Sequence, residues 1–385
     1  MSDVPIRVAI AGARGIPALY GGFETFAAEL APRLVRRGFD VTVYCRSRYS
    51  DPSRPACFQG VRLVYLPSIG RRALESPSAE LLCSLHALKE RPDILYVLGF
   101  RASLGYWPHR ALGRTVVFNT DGFDWQRSKW GALAKRYLRM SERIGVRLAS
   151  GGLIADSRVT ADYYRRTYDR DPVYLSYGAP VLHTSSPEVV ASYGLDPDRY
   201  YLVVARIEPE NHVRSIIEGY LRSGSQLPLA VVGSQNYDTA YGKAVMQLAS
   251  DRVRLLGGVY TEGHLDALYR RCFAYIHGHE VGGTNPSLVR AMGARALVLA
   301  NDVAYNREVV DETGLYWSPA AGDLTGLIHG VERKPALAGK LRQAAQERAA
   351  KHYDWEVIAD GYASFFSVLA RGGHRKDDAT VERAA

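Results

Sequence analysis

The chain has 385 residues, 49 Lys or Arg against 40 Asp or Glu, and 47% apolar residues, a composition that excludes a disordered or fibrous protein and predicts two domains at about 150 residues each. The net charge of +9 favours a partner that carries phosphates or another polyanion. Cys45, Cys57, Cys83 and Cys272 show no CxxC or Cys/His ligand spacing, so neither a zinc site nor a disulfide framework is signalled.

The N-terminus enters a strand almost at once, without the basic and long apolar regions of a signal peptide. No apolar run approaches the ~18 to 20 residues that cross a bilayer. A cytoplasmic protein is expected, with any membrane contact peripheral. Residues 7–11 read as a strand that ends in a glycine-containing turn, and 25–37 as a helix through Phe26, Leu30 and Leu34. Further strands are expected at 41–44, 61–66, 94–98, 116–119 and 152–155, with helices between several of them. This alternation predicts a parallel, doubly wound sheet.

The basic stretch 110–147 places Lys135, Arg139, Arg143 and Arg147 at four-residue steps, with Leu133, Leu138 and Ile144 as its apolar partners. It reads either as a solvated helix surface or as a face for an anionic membrane. Residues 187–198 form a polar stretch. Strands at 201–205, 229–232, 253–255, 274–277 and 297–300 then repeat the rhythm as a second doubly wound domain. A helix at 355–369 precedes a polar tail, 371–385, expected to be disordered. The expected division is 1–185, 186–353, a helix at 354–370 returning to the first domain, and the tail 371–385.

Three stretches carry chemistry. The loop Gly12-Ala-Arg-Gly15-Ile-Pro17-Ala-Leu-Tyr20-Gly21-Gly22-Phe23-Glu24 joins a strand to a helix, and its glycines admit close backbone approach to a phosphate or sugar, or serve turns only. Arg206 follows a strand directly and suits a diphosphate, or pairs with Glu208 or Glu210. Pro286-Ser287 reads as a helix start whose amides and dipole would cradle a phosphate. Asp121 and Asp124 follow the strand at 116–119, where paired carboxylates suit acid/base work; Asp124 has Arg127 and Lys129 close by for ordinary salt bridges.

Together these strings resemble glycosyltransferase family 4, in the rhamnosyltransferase-like branch with the signature Gly15-Ile-Pro17 followed by Tyr20-Gly-Gly-Phe-Glu-Thr25. Further similarity lies in Asn119-Thr-Asp121-Gly-Phe-Asp-Trp125-Gln-Arg127, Tyr177-Gly-Ala179, Ala205-Arg206-Ile-Glu-Pro-Glu210-Asn211, His277-Gly-His279-Glu280-Val-Gly-Gly283-Thr284-Asn285-Pro-Ser287, Asn306-Arg-Glu308 and Trp355. The resemblance spans about residues 7–369. It implies an α/β GT-B fold, two Rossmann-like domains facing a central cleft, with a nucleotide-diphosphate sugar held mainly by the second.

By the same resemblance, Gly21, Gly22, Arg206, Asn211, His279, Glu280, Gly283, Thr284, Asn285, Ser287 and Arg290 serve donor and phosphate, Asp121 and Arg206 the chemistry, and Tyr20, Phe23, Glu24, Trp125 and Arg127 the acceptor side. It implies a retaining transfer of a deoxyhexose such as rhamnose to a glycan or lipid-linked glycan, with no metal or other cofactor and no nucleic acid. Two departures stand out. Where relatives carry two glutamates eight positions apart, this chain has Gly282 and Arg290, with Glu280 nearby as a substitute carboxylate. Asn211 replaces the usual lysine. These changes raise an alternative: a catalytically impaired relative that binds nucleotide-sugar or glycan as a scaffold.

Overall fold

In the computed structural model the described residues are 4–18, 21–49, 53–70, 75–120, 122–127, 130–183, 185–234, 239–320 and 322–372. They fall into two compact units. One comprises Met1–Trp125, Trp130–Tyr177 and Trp355–Ala385, the other Gln126–Lys129 and Gly178–Asp354.

In chain order the strands are β1 Arg7–Ala11, β2 Asp40–Arg46, β3 Cys57–Phe58, β4 Val61–Leu66, β5 Ile94–Leu98, β6 Thr115–Asn119, β7 Leu153–Ala155, β8 Val173–Tyr174, β9 Tyr201–Val204, β10 Leu229–Val232, β11 Val253–Gly257, β12 Ala274–His277, β13 Val298–Asn301 and β14 Leu315–Trp317. The helices are α1 Gly22–Arg36, α2 Glu75–Glu90, α3 Trp107–Ala111, α4 Ala132–Leu148, α5 Arg158–Tyr168, α6 Pro187–Ser192, α7 Val213–Ser223, α8 Ala240–Met246, α9 His264–Arg270, α10 Pro286–Gly293, α11 Ala304–Val310, α12 Leu324–Glu332, α13 Pro335–His352 and α14 Trp355–Ala370.

The first unit's sheet runs β3-β4-β2-β1-β5-β6-β7-β8, and only the β3/β4 pair is antiparallel. Every residue of β5 is buried, as a strand covered on both faces requires. Helix α14 closes this core: Phe26 of α1 packs its ring against Tyr177, Trp355 and Tyr362. On the solvent side Arg33 of α1 and Arg37 at its C-terminal cap pair with Glu356, and Arg37 also with Asp360 at 2.6 Å. The second sheet, β11-β10-β9-β12-β13-β14, is parallel throughout, with an apolar layer on each face.

Three sequence expectations change. The first helix starts at Gly22 rather than residue 25, because the Gly21 carbonyl accepts from both the amide and the hydroxyl of Thr25 and closes a turn earlier. The polar stretch 187–198 opens with helix α6, nucleated by Pro187 at its first position and held by fully buried Val190. In α4 one expected apolar partner faces outward: Leu133 is 83% exposed, while Leu138 and Ile144 are half-buried. The buried side carries Ser141, Glu142, Gly145 and Val146 instead. Of the expected tail, 373–385 lie outside the described residues.

Each sheet reverses its winding direction once, between β1 and β5 and between β9 and β12. In open α/β sheets the loops leaving the carboxyl ends of such neighbouring strands form the natural ligand crevice.

Candidate functional site

In the second unit the loop after β9 carries Arg206, whose side chain is 33% exposed and has its Nη1 3.9 Å from Glu208 Oε2. Buried Asn211, in the slot expected for lysine, donates from Nδ2 to the Arg206 carbonyl at 2.8 Å. It closes the turn rather than presenting a charge. The loop after β12 presses against this turn: a Cβ on Gly278 would stand 2.2 Å from the Asn211 carbonyl oxygen, so only glycine fits there.

That second loop delivers α10. Asn285 is its N-cap, accepting from the Ser287 amide at 3.0 Å and from the Ser287 hydroxyl at 2.7 Å, with Pro286 at the first helical position. Thr284 is buried beside the cap. Tyr275 and His277 share one face of β12, two residues apart. The Tyr275 hydroxyl bridges Ser287 Oγ at 3.0 Å and His277 Nδ1 at 2.9 Å. The His277 and His279 rings stack, with centroids 4.5 Å apart.

Burial pushes the His277 imidazole down to about 3. Burial, reinforced by His277, Arg206, Arg127 and His212, holds His279 well below its ordinary value. Burial thus disfavours the charged form of both rings, and for His279 the positive potential of this corner adds to it. Among the described residues, His277 Nε2 and His279 Nδ1 are buried atoms without a hydrogen-bond partner. Asn306 fixes the loop by donating to the His279 carbonyl at 3.0 Å.

Glu280 turns away to His212, with Oε2 3.0 Å from Nε2. Arg290 is held through Nε by Asp266 Oδ1 of α9 at 2.6 Å. Gly282 has φ 155° and Gly283 beside it is buried, so the pair forms a glycine turn leading into the α10 cap. Arg127 belongs to Gln126–Lys129, the short segment that clusters with the second unit. It is buried, with Nη1 3.8 Å from Glu210 Oε1.

In the first unit the loop after β1 is braced internally. A Cβ on Gly12 would stand 2.5 Å from the Leu98 carbonyl of β5. Glu24 is buried, and its Oε1 accepts from the Arg14 amide at 2.7 Å. Gly21 adopts φ 113° and Gly22 is exposed at the helix start. Buried Phe23 lies under the Arg101 guanidinium at 5.5 Å, and Arg101 Nε donates to Asp124 Oδ2 at 2.9 Å. Trp125 donates from Nε1 to Glu142 at 3.0 Å, while Arg139 covers its ring at 4.3 Å. Tyr20 and Asp121 lie outside the described residues.

The structure therefore gathers Arg206, Asn211, His279, Glu280, Gly283, Thr284, Asn285 and Ser287 on two adjoining loops of the second unit. It gathers Glu24, Phe23 and Trp125 as braces in the first. His212, Tyr275, Asp266 and Glu142 were not singled out from the sequence, and His277 only opened the string that carries the resemblance, although the spacing of Tyr275 and His277 on one strand face was a readable signal for both. Among the described residues no three His, Cys, Asp or Glu side chains converge as a metal site would require.

Residues 6–180 match the family described as Domain of unknown function (DUF1972), and residues 186–352 match Glycosyl transferases group 1. No curated protein matches the sequence. Among solved structures, the fold is similar to a sucrose-phosphate synthase from Thermosynechococcus elongatus, with TM-score 0.82 and 18% identity over 95% of this chain and all of that one. It is also similar to HepE of Anabaena solved with UDP-glucose, with TM-score 0.77 and 16% identity over 94% and 99% of the two chains. WaaG, a glycosyltransferase involved in lipopolysaccharide biosynthesis, follows with TM-score 0.70 and 16% identity over 94% and 99%. The chain has the α/β GT-B fold, built of two parallel-sheet Rossmann-like units, and its residues 186–352 are similar to the group 1 glycosyl transferases.

Proposed function

We propose that this group 1 glycosyltransferase moves a deoxyhexose, rhamnose-like, from a nucleoside-diphosphate sugar to a hydroxyl of a glycan or lipid-linked glycan, with retention at the sugar carbon. The observation that carries the reading is the capped start of α10 at the β9/β12 reversal, on the loop that adjoins the Arg206 turn. As the glycosidic C–O bond breaks, negative charge grows on the departing diphosphate. The positive end of the α10 dipole, together with the Arg206 guanidinium, offers a favourable potential fixed before the charge appears. The neutral imidazoles of His277 and His279 add hydrogen-bonding groups without repelling cations. That HepE was solved with UDP-glucose supports a nucleotide-sugar as donor class. No cofactor beyond the donor enters this scheme, and Asp121 remains the proposed carboxylate beside the reacting sugar.

The test is release of nucleoside diphosphate by purified protein across a panel of nucleotide-sugars, followed by assignment of the product anomer. Turnover with a deoxyhexose donor is the expected outcome. A second reading, a binding protein without turnover, draws on Arg290, which stands in an acidic residue's slot and is committed to Asp266. Thermal stabilisation by nucleoside diphosphates without release from any donor would establish it.

A further inference from the structure

At the amino ends of the second unit's strands, away from the Arg206 and α10 loops, four arginines gather from three segments. Arg270 is the last residue of α9 and Arg271 its C-terminal cap, directly ahead of β12. Arg295 stands between α10 and β13, and Arg342 belongs to α13. Because β12 and β13 are parallel neighbours, their amino ends lie side by side. Arg342 donates to the Phe273 carbonyl and covers the Phe273 ring at 5.5 Å, which brings α13 to the same edge.

One acid answers these charges. Asp198 Oδ2 accepts from Arg271 Nη2 at 2.8 Å, and the Asp198 amide donates to the Arg271 carbonyl at 2.6 Å. Among the described residues, Arg270, Arg295 and Arg342 have no carboxylate within salt-bridge distance. The Nε atoms of Arg270, Arg271 and Arg342 are buried and find no acceptor there either. Burial, then the charges of Arg295 and Arg271, pulls the Arg270 guanidinium below its ordinary value against the attraction of Asp198. That is the response of cations held close together.

Helix ends explain part of the cluster. Both α9 and α10 finish at this edge, and each helix C-terminus carries about half a negative charge. Together with Asp198 they offset about two of the four positive charges, so about two remain. Arg295 is also not required by its turn. It adopts φ 61° just past the α10 cap, where the Ala296 amide donates to the Ala291 carbonyl at 3.0 Å. Glycine fits such a position without steric cost, so the arginine brings a guanidinium rather than a better turn.

We infer that Arg270, Arg271, Arg295 and Arg342 bind a phosphate-bearing small molecule at the amino edge of the second sheet, at a site separate from the proposed donor site. Guanidinium forks match phosphate oxygens two at a time, and a doubly charged phosphate group answers the charge left over. The separation is built into the topology. Strand β12 starts beside Arg271 and ends at His277, while α10 starts at Pro286 and ends before Arg295. The two sites are therefore at opposite ends of both elements, about 12 Å apart along α10. The inference does not rest on the donor reading, since binding here needs no turnover.

The test is calorimetry with inorganic pyrophosphate on full-length protein carrying Arg206→Ala, which weakens binding at the donor loops. Pyrophosphate should bind, and adding Arg270→Gln with Arg295→Gln should weaken it about thirtyfold. Arg295→Gly alone should weaken it about fivefold while keeping or raising the thermal midpoint, which separates a lost ligand contact from damage to the fold. If the arginines serve only the helix ends and Asp198, both variants leave pyrophosphate affinity unchanged and the site is overturned. Binding that vanishes entirely by about 0.15 M salt would reduce the cluster to a diffuse patch and overturn it equally. Capture of vesicles bearing phosphatidic acid without any pyrophosphate binding would overturn the small-molecule ligand.

Discussion

At the β1/β5 reversal the charged groups are paired within the unit: Glu24 holds the Arg14 amide, Arg101 holds Asp124, and Arg46 holds Glu75. At the β9/β12 reversal Arg206 remains one-third exposed with its carboxylate neighbour 3.9 Å away, and a capped helix start stands on the adjoining loop. The same sheet architecture thus supplies two kinds of rim. One spends its polar groups on bracing loops, which suits a neutral, hydroxyl-bearing ligand. The other keeps a part-exposed guanidinium beside the positive end of a helix, which suits an anion.

The most damaging change to this contrast is Glu142→Ala. That buried carboxylate accepts from Trp125, Tyr163 and Tyr168 at 3.0, 2.9 and 2.7 Å. Removing it strands three half-buried donors, each costing about 1 to 1.5 kcal/mol, the low end of the range for a buried group. A loss of about 4 kcal/mol, seen as faster amide hydrogen exchange in α4 and α5, is expected. Nucleoside-diphosphate affinity of the second unit should hold; its loss would show that the two rims are not independent.

Glu80 is the opposite kind of buried carboxylate. Neither oxygen has a hydrogen-bond partner among the described residues. Burial pushes its carboxyl up to about 7 against the pull of Arg46 and Arg101. Because the folded value lies above the ordinary one of 4.5, the unfolded chain gives up this proton first as pH rises. Stability from this group is therefore full below pH about 4.5 and falls until pH about 7. The fall amounts to at most about 3 kcal/mol, and Glu80→Gln should abolish it. Urea midpoints compared at pH 5 and 7.5 test the sign; an unchanged slope in the variant would place the ionised carboxylate in the folded state.

Arg206→Ala addresses the open rim directly. A charge-assisted hydrogen bond to phosphate is worth about 2 kcal/mol, so nucleoside-diphosphate affinity by calorimetry should drop some thirtyfold. Unchanged affinity would remove Arg206 from the site and leave the helix start alone as the anion's holder.

Much of this was legible beforehand. The parallel sheets follow from strand-sized runs such as Ile94–Leu98 alternating with helical stretches, and the α10 cap follows from Asn285-Pro286-Ser287. What the sequence could not yield was set by partners distant along the chain. The outward face of α4 depends on Gly145 fitting against Ser103, and on Glu142 drawing Tyr163 and Tyr168 inward. The role of Asn211 is to tie its own loop, a geometry that residue type does not encode. Short edge strands such as β8 and β14 owe their existence to a neighbouring strand more than to their own two or three residues.

The finest discrimination concerns Arg290, at a position where the sequence resemblance leads one to expect a carboxylate. Its guanidinium and the Asp266 carboxylate are 29% and 28% exposed, so the pair contributes less than about 1 kcal/mol. If Arg290 serves only to neutralise Asp266, Arg290→Gln should lower stability by that small amount and leave nucleoside-diphosphate affinity unchanged. The anion site is then Arg206 and the α10 start, as the contrast between the two rims has it. If Arg290 instead contributes to the open rim, the same substitution removes a cation from the site and affinity falls about tenfold. Asp266→Asn separates the cases further. Releasing Arg290 from its partner should tighten nucleoside-diphosphate binding only in the second case, because a freed guanidinium can then turn toward phosphate. Calorimetry on both variants therefore fixes whether the open rim ends at Ser287 or reaches one helical turn further along α10.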